Sequence, residues 1–290
     1  MKIRVMLEKV MNVILCLSGV TAIAAVFVIS LYMLINGVPA IQKVGLVPFL
    51  FGQTWRSTGS NPEYGILPFL LTSVYGTFGA CLVGVPIGLM TSVFLAKIAN
   101  SKIAGVVTGA VELLAGIPSV VYGLIGMLVL VPNIRTIFHL KTGTTLFSAI
   151  IVLTIMILPS IINVSVTALK AVPKEYEEAS YALGATKIET IFKVSIPAAK
   201  SGIAAGIVLG IGRAVGEAMA VMMVAGNVAN MPSFFKSVTF LTTAIAKEMA
   251  YAPNGSLQKQ ALYSIALVLF IFIMVINMVL NILLKGRKEK

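Results

Sequence analysis

Long runs of apolar residues without any charged residue dominate the chain, and short polar segments separate them. A run of about 20 apolar residues is long enough to cross the hydrocarbon core of a bilayer as a helix. A helix also satisfies its backbone hydrogen bonds within one segment, as lipid requires. The pattern predicts six transmembrane helices, at about 12–35, 66–96, 113–132, 144–169, 201–224 and 261–284.

Composition favours the same fold class, an all-α polytopic membrane protein. Of the 290 residues, 58% are hydrophobic and only 11% are charged, which is more apolar surface than a soluble domain needs. A net charge of +12 could indicate a nucleic-acid partner. In a chain this apolar, basic loops held at the cytoplasmic side of a lipid membrane explain it better, and we expect no nucleic acid. Cys16 and Cys81 lie in apolar runs, so we expect no disulfide framework, metal site or cofactor.

The distribution of basic residues predicts the orientation. With the N-terminus inside, fourteen Lys and Arg residues fall on the cytoplasmic side and seven on the external side. Because Lys and Arg are enriched in cytoplasmic loops, we predict that both termini and the polar segment 170–200 are cytoplasmic. The expected organisation is an N-terminal region (residues 1–63) with the first span and an external loop, a permease core (64–284) and a basic cytoplasmic tail (285–290).

The segment 170–200 is the long charged stretch of an otherwise apolar chain. Pro173 suits the first position of a helix, and the glutamates that follow it favour a first turn. Gly184 is placed to end this helix in the left-handed conformation, and Thr186 with Glu189 has the form of a capping box that opens a second helix. Two short helices at a fixed angle would form a rigid knob that can transmit movement. The alternative, a solvated connector, does not need these caps.

The spacing within this segment resembles the EAA loop of ABC-importer permeases, which docks onto an ATPase subunit. Ser180 and Val194 replace an Ala and an Ile of the family pattern. The resemblance implies an ATPase-coupling surface formed by Glu178, Ala179, Ser180, Gly184, Val194, Ile196 and Pro197. The chain contains no GxxxxGK[ST] motif, so we expect a transporter subunit that is not an enzyme and whose partner hydrolyses ATP.

Two charged residues, Arg213 and Glu217, lie inside the fifth predicted span. A charge in a span costs at least ~2.5–3.5 kcal/mol, so it needs a structural or functional reason. On a continuous helix both side chains lie near the face of Gly202 and Gly206, whose four-residue spacing permits close helix contact. We therefore expect both charges to face the protein interior. They either neutralise each other at i,i+4 and lock helices together, or Arg213 lines the path of an anion.

Glu112 lies at the edge of the third predicted span and is followed by Gly116 and Pro118. We expect these two residues to break or kink that helix and to expose backbone groups near a cavity. Glu112 is then either a capping charge at the cytoplasmic edge or a further charge of the pathway, and the sequence leaves both interpretations open.

Three segments, 65–89, 112–123 and 212–227, together resemble the membrane subunits of the bacterial phosphate importer, and more closely the PstC type than its sister PstA. The resemblance implies the type I ABC importer permease fold in the bacterial inner membrane. It implies a heterodimer with a PstA-like permease, a PstB-like ATPase dimer and an external PstS-like phosphate-binding protein. It also implies that Arg213 and Glu217 match the charged residues of the family's translocation path.

Two other functions stay open on the sequence. One is an ABC permease for a different oxyanion, such as molybdate or sulfate, for which the segment 212–227 is the discriminating feature. The other is an ATP-independent secondary carrier or channel, against which the EAA spacing argues.

Overall fold

The computed structural model describes residues 2–59 and 61–285, and it is almost entirely helical in those ranges. Five described helical stretches are long and apolar enough to cross a membrane: Val10–Val44, Leu67–Ile98, Ser119–Ile137, Leu146–Lys170 and Leu257–Leu280. Two further helical stretches, Lys187–Ala198 and Lys200–Gly216, pass the same test only when taken together, and they are bent by 70° at their junction. The predicted all-α polytopic class is confirmed. The predicted tail lies outside the described residues from position 286 onward.

The elements follow one another along the chain with short connections. Two strands, β1 (Trp55–Arg56) and β2 (Glu63–Tyr64), pair as an antiparallel hairpin. The helices are α1 (Lys2–Val44), α2 (Leu46–Phe51), α3 (Leu67–Val93), α4 (Ser101–Gly116), α5 (Ser119–Ile125), α6 (Val131–Ile137), α7 (Leu146–Lys170), α8 (Lys174–Ala182), α9 (Lys187–Thr190), α10 (Ile196–Ala198), α11 (Lys200–Gly216), α12 (Met219–Val224), α13 (Leu241–Glu248) and α14 (Leu257–Lys285). Single π-helical turns occur at Phe94–Ile98, Gly126–Leu130 and Ile191–Ser195.

Helix α7 is the central element, and α3 and α11 pack on it through glycines. On α11, a side chain at Gly202 would collide with Ala168, and one at Gly210 would collide with Ile161. On α3, Gly88 approaches Ile161 in the same way. Small residues at helix interfaces allow the close backbone approach that stabilises helix pairs in lipid. The predicted inward face of Gly202 is thus confirmed.

The C-terminal part of α1 and the N-terminal part of α14 are fixed to each other and lie beside a small layer, predicted to be external, that contains the β1–β2 hairpin and α13. The Ser264 hydroxyl donates a hydrogen bond to the carbonyl of Gly37 over 2.6 Å, where the two helix backbones approach closely. In the external layer, the indole N–H of Trp55 donates to Glu248 Oε1 over 3.0 Å. The Trp55 ring also contacts Tyr64 of the paired strand edge-on. The β1–β2 hairpin is therefore fastened to α13.

Two predicted spans are wrong as continuous helices. The third was expected at 113–132, but α4 ends at Gly116 and the stretch long enough to cross begins at Ser119. Pro118 between them has an extended backbone (φ −57°, ψ 141°) and no N–H to continue the helical hydrogen bonding. The break predicted at Gly116 and Pro118 is confirmed, and it separates α4 from the span.

The fifth span was expected at 201–224, but α11 ends at Gly216 and α12 starts at Met219. Glu217 between them is extended (φ −73°, ψ 124°). The 17 residues of α11 cover ~25 Å, which is less than the ~30 Å hydrocarbon core, so α12 is needed to complete the crossing. A local interaction accompanies the break, because the Glu217 carboxylate accepts an N–H in the first turn of α12, as described below.

The orientation is open to a direct labelling test. In a variant whose native Cys16 and Cys81 are replaced by Ser, a cysteine replacing Thr58 is expected to react with a membrane-impermeant maleimide in intact cells. A cysteine replacing Lys187 is expected to react only after the cells are lysed. Both positions are exposed in the fold, so accessibility differs only through the membrane. The expectation rests on the fourteen-to-seven distribution of basic residues, and the reverse labelling pattern would contradict it.

Candidate coupling surface and translocation pathway

The first helix of segment 170–200 ends as the sequence predicts. Pro173 is the N-cap residue of α8, which begins at Lys174. The sequence predicted Pro173 at the first helical position, so the helix starts one residue later than expected. At the other end Gly184 has φ +84°, in the left-handed region. Its N–H donates to the carbonyl of Tyr181 over 2.9 Å, and the N–H of Ala185 donates to that of Ser180 over 3.2 Å. These two bonds form a Schellman motif, which fixes the direction in which the chain leaves α8.

The second helix, α9, starts with the predicted capping box. Thr186 Oγ1 accepts the N–H of Glu189 over 3.3 Å, and Glu189 Oε2 accepts the N–H of Thr186 over 3.0 Å. The hydrogen bonds from the Thr186 backbone and hydroxyl, followed by the hydrogen bond and charge of Lys193, lower the pKa of the Glu189 carboxyl to about 2. A lowered pKa means that this stabilisation is complete above the ordinary carboxylate pKa of 4.5 and is lost as pH falls towards 2. The cap is therefore intact at any cytoplasmic pH.

The two helices form one rigid unit, which we call the knob (residues 173–198). Ser180 of α8 and Thr190 of α9 are hydrogen-bonded through their hydroxyls over 2.9 Å. After the π-helical turn and α10, the chain bends by 70° into α11, two residues after Pro197. The knob is thus joined by a sharp bend to the helix that carries Arg213, which is the connection a mechanical coupling requires.

The sequence-predicted coupling residues divide into two groups in the structure. Glu178, Ala179, Gly184 and Pro197 are exposed on the knob, where a partner could touch them. The other three, Ser180, Val194 and Ile196, are half-buried and so less open to a partner. Ile196, for example, packs against the buried apolar cluster at the C-terminal ends of α3 and α7 and the N-terminal end of α11.

An exposed apolar patch on the knob was missed by the sequence reasoning. Leu183, next to Gly184, is 89% exposed, and Ile188 is 68% exposed. Tyr176, Tyr181 and Phe192 are also exposed on this short polar segment. Several large exposed apolar side chains on a short polar segment are typical of a surface that contacts another protein. The signal was present in the sequence as apolar residues spaced through an otherwise polar loop.

A buried polar cluster at the base of the knob was also missed. Lys97 Nζ lies 2.5 Å from Glu177 Oε1, and the Ser195 hydroxyl donates to the same oxygen over 2.7 Å. Burial would raise the pKa of the Glu177 carboxyl, but the hydrogen bonds from Lys97 and Ser195 and the charge of Lys97 outweigh it. The pKa therefore lies below its usual value. No sequence signal reveals this contact, because Lys97 belongs to the end of the second span.

The two helix breaks come together in the fold. Helices α5 and α12, each of which starts just after a break, pack so closely that a side chain at Gly123 would collide with the backbone of Ala220. The Tyr122 hydroxyl donates to the carbonyl of Leu114 over 2.6 Å and so ties α5 to α4 across the first break. Irregular backbone at membrane depth is tolerated only where protein buries it or where it lines a water-filled cavity. The paired breaks therefore lie where protein buries them or where they line a water-filled cavity.

Arg213 lies beside the second break, in the last turn of α11, and is half-buried. It is close enough to Tyr122 of α5 for the two groups to interact electrostatically. Among the described residues, the ion pairs with a short N–O distance do not include Arg213 with Glu217. The i,i+4 relation that would bring them together is lost because the chain is extended at Glu217.

Glu217 has a structural task of its own. Its Oε1 accepts the N–H of Ala220 over 3.0 Å at the start of α12, and its backbone carbonyl accepts the Thr242 hydroxyl over 2.8 Å. A carboxylate that accepts a first-turn N–H favours the start of a helix, because it pairs an otherwise unsatisfied donor next to the positive end of the helix dipole. Glu217 thus accepts hydrogen bonds from α12 and α13 at the break beside Arg213, and the short ion pairs of the described residues do not join it to Arg213.

One side of this region is open in the single chain. Gly212 and Gly216 of α11 are exposed, with empty space where a side chain would lie. Glu112 is exposed and lines a cavity of about 650 Å³ together with Gly116 and Pro118. This side of the region beside Arg213 is therefore not covered by the described residues of the chain itself.

Comparisons with known proteins agree with this architecture. A family model described as "Binding-protein-dependent transport system inner membrane component" matches residues 84–286. The chain is 39% identical to the probable ABC transporter permease protein YqgH of Bacillus subtilis (strain 168), over 88% of this chain and 85% of that protein. It is 33% identical to the phosphate transport system permease protein PstC of Pasteurella multocida (strain Pm70), over 83% of this chain and 81% of that protein.

Solved structures give the fold. A chain of a bacterial alginate ABC transporter, crystallised with its alginate-bound periplasmic protein, matches with a TM-score of 0.61 over 95% of this chain and 94% of that chain, at 16% identity. A chain of the MetNI methionine ABC transporter in an inward-facing conformation matches with a TM-score of 0.57 over 77% of this chain and 94% of that chain, at 23% identity. Both likenesses confirm the predicted type I importer permease fold. Because the family model covers most of the chain, the protein belongs to the binding-protein-dependent inner membrane components, which are the multi-pass permease subunits of ABC importers and work with a separate ATPase and a binding protein.

Proposed function

We propose that the chain is the PstC-type permease subunit of an ATP-driven importer for inorganic phosphate. The observation that carries the proposal is Arg213, a half-buried guanidinium beside two adjoining helix breaks, with no acidic partner among the described ion pairs. The relatives named PstC support phosphate as the transported oxyanion, while the name of YqgH specifies no substrate.

The chemistry of Arg213 suits a phosphate ion. A guanidinium stays charged at any physiological pH and can donate two parallel hydrogen bonds to the oxygens of one phosphate. The contact has to be weak enough to break in each cycle, because a tight site within the pathway would slow release. Glu217 contributes by keeping the backbone broken next to Arg213. Glu112 would act at the edge of the pathway, where a carboxylate disfavours long residence of an anion.

In this proposal the knob transmits the movement of the ATPase to the membrane spans. ATP binding closes the ATPase dimer, which moves the knob through its exposed apolar patch and its EAA residues Glu178, Ala179 and Gly184. The sharp bend at Ala199 connects that movement to α11 and Arg213. The N-terminal region, residues 1–63, then serves as an added first span with an external loop, and residues 64–284 form the permease core.

The partners follow from the surfaces. A PstA-like permease would cover the open side formed by Gly212, Gly216 and the Glu112 cavity, which gives the expected heterodimer. A PstB-like ATPase dimer would bind the knob. A PstS-like phosphate-binding protein would deliver phosphate to the external side.

The proposal is tested by transport with purified components. Proteoliposomes that contain this chain, its PstA-like partner and the ATPase are expected to accumulate radiolabelled phosphate when ATP is enclosed with the ATPase and the loaded binding protein is on the other side. The matched controls omit ATP or the binding protein. Excess unlabelled sulfate or molybdate, each added with the same binding protein, is expected to leave the rate of phosphate uptake unchanged. ATP-dependent uptake of sulfate or molybdate without uptake of phosphate would contradict the assignment and favour the other oxyanion.

A further inference from the structure

Three elements that are distant in sequence meet at the cytoplasmic end of the second span. Lys97 belongs to the π-helical turn that ends this span, Glu177 to α8 of the knob, and Ser195 to the π-helical turn between α9 and α10. Both Lys97 Nζ (2.5 Å) and the Ser195 hydroxyl (2.7 Å) bind Glu177 Oε1. The Lys97 and Glu177 side chains are only 12% and 20% exposed, and Ser195 is fully buried.

The cluster differs from an ordinary surface ion pair. The knob provides a direct comparison in Lys193 and Glu189, which lie one turn apart on the same helical segment at 3.2 Å and are 75% and 46% exposed. Such exposed pairs contribute little, because water and salt screen them. The Lys97–Glu177 pair is desolvated and links two separate elements, so losing either partner leaves the other charge unpaired in a largely buried place.

The position of the cluster restricts a movement that the covalent chain alone would allow the knob to make. The covalent connection from the knob to α11 is a bend of 70° at Ala199, about which the knob could pivot without moving the spans. The apolar contacts beneath it, which include Val93 of α3, Val172 and Ile191, are non-directional and allow sliding. A second, directional attachment to the end of the α3 span removes that freedom.

We propose that Lys97, Glu177 and Ser195 form a latch that fixes the knob to the second span, so that movement of the ATPase displaces α3 together with α11. These are positioning residues for coupling, and the proposal rests on the coupling role proposed above for the knob. Two of the three lie in π-helical turns, an irregularity that is frequent at functional sites in helices. The displaced α3 packs on α7 through Gly84 and Gly88, so the movement reaches the centre of the fold.

The test measures phosphate transported per ATP hydrolysed in the complete reconstituted complex. Lys97→Gln and Glu177→Gln are each expected to keep the ATPase in the purified complex and to lower the ratio at least about fivefold. The exchange Lys97→Glu with Glu177→Lys restores opposite charges and is expected to recover at least half of the wild-type ratio. Lys193→Gln, which removes the exposed pair of the same knob, is the matched control and is expected to keep the wild-type ratio.

The outcomes separate the latch from the proposed function. A wild-type complex without ATP-driven phosphate uptake would refute the proposed function itself. With an active wild type, a normal ratio in either single variant, or an exchange variant no better than the singles, would overturn the latch. If the single variants fail to assemble, Ser195→Ala decides, because it leaves the ion pair in place. It is expected to assemble and lower the ratio about twofold, and a normal ratio there would make the cluster purely structural.

Discussion

An Arg213→Gln variant is expected to lose phosphate uptake by at least about tenfold while the complex with its partner permease and ATPase still assembles. The physical reason is that Gln keeps a polar side chain but removes the positive charge that attracts the oxyanion. Because Arg213 makes no short ion pair within the described residues, its loss leaves no carboxylate stranded by a broken pair. Uptake by reconstituted complexes, normalised to the amount assembled, is the measurement.

The alternative role for Arg213 is to stabilise the end of α11, where a cation favours the helix dipole by about 0.3–1 kcal/mol. Thermal unfolding of the variant would reveal that effect separately from transport. Arg135, exposed in the last turn of α6, offers a matched control, and Arg135→Gln is expected to retain uptake within about twofold. Glu217→Gln keeps an oxygen that can cap α12, so Arg213→Gln with Glu217→Gln is expected to transport as poorly as Arg213→Gln alone. Recovery in this double variant would contradict the anion role and restore the charge-neutralising pair.

The features that the sequence predicted correctly are those set by neighbouring residues. The left-handed Gly184 and the Thr186–Glu189 capping box each depend on a few consecutive positions, and both are present. The apolar runs likewise predicted most spans, because length and apolar composition determine whether a helix can cross the hydrocarbon core, whatever its tertiary contacts. Even the break near Pro118 followed from one residue without an N–H.

The features that the sequence missed depend on which of two local interactions forms, or on contacts between residues that are far apart in the chain. Helical periodicity predicts Glu217 as the i,i+4 partner of Arg213. In the structure the backbone is extended at Glu217, and its carboxylate accepts an N–H of the next helix instead. The contact of Lys97 with Glu177 joins two elements whose meeting only the packing of α3 beside the knob determines. Neither residue carries a local signal for it. Exposure of Leu183 was also a property of the folded knob, since an isolated helix end does not show which side chains stay uncovered.

Replacing Leu183 by Asp is expected to abolish copurification of the ATPase and with it ATP-driven uptake. Leu183 is 89% exposed beside the Schellman motif of Gly184, so the substitution removes no internal contact of the knob. Burying a leucine side chain in a partner contributes about 1.5–3 kcal/mol, and an aspartate in the same pocket would add an unpaired charge. A second variant, Gly184→Val, leaves Leu183 in place but disfavours the φ of +84° on which its direction depends. Gly184→Val is expected to reduce copurification of the ATPase less than Leu183→Asp does, and to lower phosphate uptake as strongly.

The matched control for this prediction lies on the side of the membrane that the basic residues predict to be external. Tyr251 is 87% exposed in the external loop after α13, so Tyr251→Asp makes a comparable change from an exposed large apolar side chain to a charge. This variant is expected to keep the ATPase bound, because the predicted orientation places it away from the cytoplasm. Equal loss of the ATPase from both variants would point to a general defect in assembly, and full retention in Leu183→Asp would remove the knob's apolar patch from the docking surface. Loss in Leu183→Asp alone locates the contact at the tip of the knob, since the chain's own fold leaves that side chain almost fully open to water.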